Sequence, residues 1–404
     1  MNLRDRRVHY IYFIVGSSFL ILFFNSGARY AFGVALKPMI ADFGRGRAGI
    51  SAVFLLNMII FALSILAAGK LYDRYGSRPV LICSTILLSL GLFLTSRTRS
   101  FSGLLISYGV ISALGISGTS VPLISAVVSK WALRSEGLIV SLSLSGNSIG
   151  QFLLVPLFGL LTEWYGWREA YLFFSILILV TNTLLSIFVI KDPENKGAFG
   201  KENNEDSQSI SDLDLTRSLK TRSMWLFILM MFICGGGDYF VVTHLVAFAT
   251  DFGIPRSEAA YMLSLYGLMS LIGILLAGPF ADKYGCRIPI MITFLLRVLL
   301  FGTILFFKSR PWFYIFSLFF GLTHLVTAPL TPYLVGKMYG KSFIGGITGL
   351  INTVHFLGGG LMGYLGGLIF DLTRSYDMGF VLLGILSSVA IASTYLIREK
   401  RHSI

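Results

Sequence analysis

Two arginines and an aspartate, Arg29, Arg297 and Asp238, fall inside long apolar runs of this sequence. At the centre of a bilayer an ionised side chain costs about 2.5–3.5 kcal/mol even on lenient insertion scales, so each needs a partner or a wet cavity. A guanidinium is a planar fork of donors that meets a carboxylate with two parallel hydrogen bonds. A buried carboxylate neutralises such an arginine or carries a proton. Three histidines, His244, His324 and His355, lie in similar runs, and imidazole titrates near physiological pH. The chemistry on offer is anion binding and proton handling. The chain has no P-loop, no zinc-ligand spacing and no serine nucleophile motif, so an enzyme is not expected and no metal or cofactor is called for.

An internal repeat relates these charges. An offset of 209 residues carries Gly69, Asp73, Tyr75, Gly76 and Arg78 of GKLYDRYGSR onto Gly278, Asp282, Tyr284, Gly285 and Arg287 of GPFADKYGCR. The same offset carries Asp42 onto Asp251, Arg47 onto Arg256 and Tyr30 onto Tyr239, and it sets Arg29 on Asp238. Opposite charges therefore occupy equivalent points of two copies of one unit. Arg297 has Leu88 as its mate, so its charge is not part of the shared scaffold.

The elements that must position these residues are membrane helices. The 404 residues are 55% hydrophobic and 13% charged, with a mean hydropathy of +0.76, which excludes an ordinary soluble globule. Twelve apolar runs lie near 10–36, 50–69, 79–96, 101–129, 137–161, 167–190, 223–249, 258–281, 288–307, 312–336, 343–370 and 376–397. They lack the polar–apolar alternation of a barrel, so the expected fold is all-α, in two pseudo-symmetric six-helix bundles. Expected divisions are an N-terminal bundle over 1–190, a polar cytoplasmic linker over 191–222 and a C-terminal bundle over 223–404. Loops on the side of the termini carry about twice the arginine and lysine of the opposite loops, which predicts both termini in the cytoplasm. The net charge of +13 is then a topology signal, and no nucleic-acid motif accompanies it. The first run is too long for a cleavable signal and reads as an uncleaved span. Cys83, Cys234 and Cys286 suggest neither a disulfide framework nor zinc.

Twelve spans in two related halves, a charged central loop and the GxLxDRxGxR-type signature after the second span, with its copy after the eighth, resemble the major facilitator superfamily over the whole chain. SKWALRSEGLIVSLSLSGNSIGQFLLVPLFGLLTEWYGWREAY, THLVAFATDFGI and IFDLTRSY further resemble its monocarboxylate porter and oxalate–formate antiporter branch. The resemblance implies a multi-pass protein of the plasma membrane that moves a small molecule by alternating access. It makes Gly69, Asp73, Arg74, Gly76, Arg78, Gly278, Asp282, Gly285 and Arg287 a conformational motif rather than a substrate site. Its glycines would allow close helix approach, and Asp73 or Asp282 would pair with an arginine or with backbone N–H groups at a helix start. It also implies a lysine-like anion grip near Arg29. Those porters carry an Asp and an Arg on the eighth span, which SLYGLMSLIGILLAG lacks.

Counted at 1.5 Å per residue, Arg29 lies about 22 Å along the first span, with Asp238 at matching depth on the seventh. Either Arg29 grips a substrate anion while Asp238 handles a proton, or the two close as an ion pair. Arg297, about 14 Å into the ninth span, is expected to be structural, with Asp238 a possible partner. Asn25, Thr119, Asn147, Tyr266, His324 and Tyr333 complete the substrate-site candidates, while Asp238, His244 and His324 are those for coupling or gating. Gly235, Gly236 and Gly237 beside Asp238 either loosen that helix or pack it closely. The expected cargo is a small organic anion, a mono- or dicarboxylate, carried by a monomer with protons as a candidate co-substrate. The alternative is a proton-driven exporter of a drug or metabolite.

Overall fold

The computed structural model describes residues 3–131, 136–192, 215–340 and 343–399. Residues 193–214, most of the expected linker, lie outside the described residues. Among the described residues twelve helical stretches are long and apolar enough to cross a membrane. They are span 1 (Tyr10–Phe43), span 2 (Arg47–Tyr75), span 3 (Ser77–Arg97), span 4 (Phe101–Ser129), span 5 (Ile139–Tyr165) and span 6 (Trp167–Phe188). The second six are span 7 (Arg222–Asp251), span 8 (Arg256–Tyr284), span 9 (Arg287–Phe306), span 10 (Arg310–Tyr339), span 11 (Ile344–Thr373) and span 12 (Asp377–Leu396). Twelve crossings return the chain to the side on which it starts, so both termini share one end; the other is called distal below.

The two bundles pack by the same plan. Span 1 lies on spans 5 and 6 as span 7 lies on spans 11 and 12, and span 3 lies on span 6 as span 9 lies on span 12. Between the bundles, span 2 packs on span 11, span 5 on span 8, and the distal part of span 1 on span 7. Without a hydrophobic drive between helices in lipid, such contacts depend on small residues. A Cβ at Gly146 or Gly150 would strike the carbonyls of Phe19 or Phe23, and one at Gly235 would strike that of His355. The helix through Gly235, Gly236 and Gly237 is unbroken from Arg222 to Asp251, so close packing is the reading that holds.

Among the described residues three spans are interrupted, span 1 at Ala31, between Leu3–Tyr30 and Phe32–Phe43, and spans 4 and 10 more strongly. Span 4 runs as a π-helix over Leu105–Ser112 and breaks at Thr119 and Ser120. The π turn leaves backbone groups to be met from outside, and Asn57 of span 2 supplies a donor to the Tyr108 carbonyl at 2.6 Å. Span 10 stops at Thr323 and resumes at Thr327, with Leu325 in the left-handed region at φ 59°. That break sets His324 beside the charges of span 7.

The repeated turn motif is built otherwise than expected. Gly76 and Gly285 take positive φ, 87° and 78°, as a tight exit from spans 2 and 8 requires. Gly69 and Gly278, expected to allow close approach, face open space. The helix starts are held by Asp192, accepting from Ser77 N at 2.7 Å, and by Glu399, accepting from Arg287 N at 2.6 Å. Asp73 and Asp282 are exposed in the last turn of the preceding helix and have no hydrogen-bond partner among the described residues. The physical reason is position: an acid arriving from the end of span 6 or span 12 reaches the N–H groups of a helix start that a residue in the preceding turn faces away from. Arg78 donates to the Ile190 carbonyl at 3.2 Å, which ties the same turn to the end of span 6.

Candidate functional site

Asp238 and Arg297 form an ion pair at 2.5 Å, with both side chains 1% exposed. Asp238 does not face Arg29. Successive helical residues point about 100° apart, so on span 7 Asp238 turns into its own bundle while Tyr239 turns across to the other. Arg297 is held on every side: Nε donates to Thr323 Oγ1 at 3.0 Å, Nη1 to the Cys234 carbonyl at 3.1 Å, and Nη2 to the Thr323 carbonyl at 3.1 Å as well as to Asp238. The break in span 10 frees that last carbonyl. The pair is charge-neutral, and each nitrogen of the Arg297 guanidinium has a partner.

Around the carboxylate stand two imidazoles. His324 Nδ1 lies 3.2 Å from Asp238 Oδ1 but out of line for a hydrogen bond, and Nε2 has no partner either. His355 Nε2 lies 3.9 Å from Oδ2, as does the Cys234 thiol at 3.7 Å. Cys234, Asp238 and His355 thus bring three ligand-type atoms within 4.8 Å of one another. Arg297 already neutralises their one carboxylate, so the set fits a cation poorly.

Arg29 is the opposite case. It is half-buried, donates to Tyr239 Oη at 2.7 Å, and keeps a buried Nε with no partner. Its guanidinium lies over the rings of Phe61 at 4.6 Å, Phe356 at 5.5 Å and Tyr239 at 5.7 Å. Phe61 comes from span 2, and Phe356 and Tyr239 from spans 11 and 7, so the cation sits where the bundles meet. No carboxylate pairs with it among the described residues. Rings over its faces leave the donor edge as the side from which an anion can approach.

The softer candidates divide. Asn147 reaches Tyr30 Oη at 3.4 Å, next in sequence to Arg29. Tyr266 is buried with its hydroxyl unpartnered and its ring 4.7 Å from that of His324. Gln151 bonds the Leu263 carbonyl across the bundles at 3.2 Å and keeps its own carbonyl oxygen unmet. Asn25 is consumed inside the first bundle, donating to the Thr119 carbonyl at 3.4 Å and accepting from Asn182 at 2.8 Å. The Thr119 hydroxyl returns to the Gly115 carbonyl at 3.2 Å. Tyr333 is 50% exposed and stands outside the buried cluster. His244 is placed away from Asp238, bonded to Tyr376 and Gly363.

At the distal end Asp251 pairs with Lys37 and Arg47 of the other bundle, both at 2.7 Å. The repeat marked Asp251 and Arg47 but gave no hint that they cross. Tyr239, Phe61 and Phe356 were missed as Arg29's company; the one available signal was that Tyr239 is the mate of Tyr30.

Comparison with known proteins agrees with this architecture. The Major Facilitator Superfamily model matches residues 18–248 and 227–403. The MFS-type transporter YcxA of Bacillus subtilis, described as uncharacterized, is 25% identical over 371 residues, 90% of each chain. Monocarboxylate transporter 13 of Bos taurus is 26% identical over 380 residues, 90% of this chain and 85% of that one. Monocarboxylate transporter 12 of Homo sapiens is 26% identical over 381 residues, 86% and 73%. Among solved structures, the nucleoside transporter NupG superposes with a TM-score of 0.76 at 14% identity, covering 96% of this chain and 98% of that one. A bacterial homologue of the lysosomal transporter Spinster, in an inward-facing conformation, gives 0.75 at 14% identity. With twelve spans in two like bundles and a family model covering nearly its whole length, this chain is a multi-pass membrane protein that belongs to the Major Facilitator Superfamily of transporters.

Proposed function

We propose that the protein carries a small monoanionic carboxylate by alternating access, with Arg29 as the group that grips the anion. The observation that carries this is the contrast between the two intramembrane arginines. Arg297 is cancelled by Asp238, whereas Arg29 has a phenol, three ring faces and an unmet Nε. The site therefore has a surplus of one positive charge, which one carboxylate completes and a dianion would overfill. Phe61 and Phe356 beside it suit an apolar body on the substrate. Relatives named monocarboxylate transporters support the same class.

Tyr239 Oη occupies the edge of Arg29 that a carboxylate would take, and it belongs to the other bundle. Substrate exchange for that phenol links anion binding to the contact between bundles, and rocking of the bundles follows. With the termini in the cytoplasm, as the arginine and lysine bias predicts, the end closed by Asp251 with Lys37 and Arg47 faces the outside in this reading. Proton coupling is assigned to Asp238 with His324 and His355, the titratable groups grouped at 3.2 and 3.9 Å.

Uptake of a panel of labelled mono- and dicarboxylates into proteoliposomes tests this. Arg29→Gln is expected to lower kcat/KM for monocarboxylates by roughly 10- to 100-fold, the worth of a charge-assisted hydrogen bond, with Arg29→Lys intermediate. Equal uptake by wild type and Arg29→Gln, or dicarboxylates carried in preference, would remove the anion grip. For coupling, His324→Gln should flatten the response of uptake to an imposed pH gradient. An unchanged response would take His324 out of that role.

A further inference from the structure

The distal closure runs through one buried imidazole. Asp371 at the end of span 11 accepts from the N–H groups of Arg47 and Ala48 at the start of span 2, at 3.0 and 2.8 Å. Arg47 sends Nη2 to Asp251 at 2.7 Å and Nη1 to Tyr376 Oη at 2.6 Å, with its guanidinium 3.4 Å from the centre of the Phe370 ring. Tyr376 Oη is 3.0 Å from His244 Nδ1, and His244 Nε2 is 2.6 Å from the Gly363 carbonyl. His244 and Tyr376 are each 1% exposed.

The proton positions in this chain are forced. A carbonyl only accepts, so His244 Nε2 carries a hydrogen. In the neutral ring Nδ1 is then an acceptor, and Tyr376 donates to it while accepting from Arg47. Each donor hydrogen in the chain then has an acceptor. Burial holds the Tyr376 phenol above its usual range, so its hydrogen stays on and the donor role is secure. A proton added to His244 makes Nδ1 a donor as well. The Tyr376 oxygen then faces two donors, its own hydrogen has no acceptor in the chain, and a second cation is buried close to Arg47. The charged and titratable groups facing His244 are Tyr376 before span 12, Arg47 of span 2 and Asp371 of span 11, with Asp251 and Lys37 beyond Arg47. Both carboxylates are committed to Arg47, Lys37 or backbone N–H groups.

The duplicated charges show that this closure is a specialised feature of one side. Asp42, the mate of Asp251, stays inside its own bundle, accepting from Trp167 at 2.8 Å and from Arg168. Among the described residues the crossing pair therefore exists once, and it is the one wired to a histidine.

We propose that His244 is the proton sensor of the distal gate: neutral, it holds Tyr376 and through it Arg47 in the closed arrangement, and protonated, it releases them. Acid then favours opening at the distal end, whatever substrate is carried.

The test reads gate opening without substrate. Leu36 is buried on the face of span 1 that also bears Gly33, which meets the Val242 carbonyl, and Lys37. Leu36→Cys in purified full-length protein is exposed to a polar thiol reagent from about pH 7.5 down to about pH 5, the range in which an imidazole released to water by opening charges. The parent without that cysteine is subtracted, and among the native thiols Cys286 is a slow competitor, its thiol pushed up to about 12 by burial. Labelling at each pH is divided by that of the same protein carrying His244→Gln, whose amide supplies the neutral donor and acceptor and cannot charge. The ratio is expected to rise about fivefold or more toward acid as the sensor charges. A flat ratio overturns the proposal, whether both proteins open with acid or neither does. Should His244→Gln fail to fold, Tyr376→Phe decides: it is expected to label fast at neutral pH and to lose the acid response, and retention of the wild-type profile overturns the sensor.

Discussion

At the residue scale, the two intramembrane arginines, one in each bundle, have opposite surroundings. Arg297 is met by Asp238, Thr323 and the Cys234 carbonyl, and removing one partner of such a pair strands a buried charge at a cost of about 3–5 kcal/mol. Asp238→Asn alone should lower the thermal unfolding midpoint in detergent markedly, and adding Arg297→Gln should recover most of the loss. If the double variant is no more stable than the single, the pair is not what holds spans 7 and 9 together. Arg29, by contrast, is occupied only by Tyr239 and ring faces. Tyr239→Phe removes a competitor for the guanidinium edge, so anion affinity should rise by about threefold to tenfold, near the worth of one hydrogen bond. Weaker anion binding in a titration would instead make the phenol part of the substrate site.

At the element scale, interruptions and close approaches place the chemistry. The stop in span 10 frees the Thr323 carbonyl for Arg297 and presents His324 to Asp238. Close contact of spans 7 and 11 sets His355 within 3.9 Å of the same carboxylate, and Gly235 makes that contact possible. Gly235→Ala puts a methyl into the His355 carbonyl and should destabilise by about 1–3 kcal/mol through overpacking. Gly278→Ala, facing open space in the repeated motif, should leave the unfolding midpoint within experimental scatter. Equal losses for both would mean that helix propensity, not contact, governs these glycines.

At the scale of the whole molecule, the alternating access proposed above requires the bundles to move against each other across the span 5–span 8 and span 2–span 11 contacts. Ser148 and Ser270 face one another there at 3.0 Å between hydroxyl oxygens, within the reach of a disulfide. Ser148→Cys with Ser270→Cys should cross-link on oxidation, give a gel shift after cleavage between the bundles, and abolish uptake until reduced. Undiminished uptake by the cross-linked protein would show that this contact does not move. Asp251→Asn leaves Lys37 and Arg47 without their shared acid and should increase Leu36→Cys labelling at neutral pH.

The sequence by itself determined the fold class, because apolar runs of membrane length must satisfy their backbones as helices. The repeat made the two-bundle plan legible, and the cost of intramembrane charge singled out Arg29, Asp238 and Arg297. The repeat also set Arg29 and Asp238 at matching depth, but depth is only one coordinate. Which way each side chain points depends on helix rotation and on neighbours far away in sequence. One residue of rotation turned Asp238 inward to Arg297 and left Tyr239 for Arg29. The motif acids show the same limit: Asp192 and Glu399 hold the helix starts because spans 6 and 12 end there, which spacing within the motif does not reveal. Only tertiary packing decided that one arginine is cancelled while the other has no carboxylate partner among the described residues, and that of two duplicated distal acids only Asp251 crosses between the bundles.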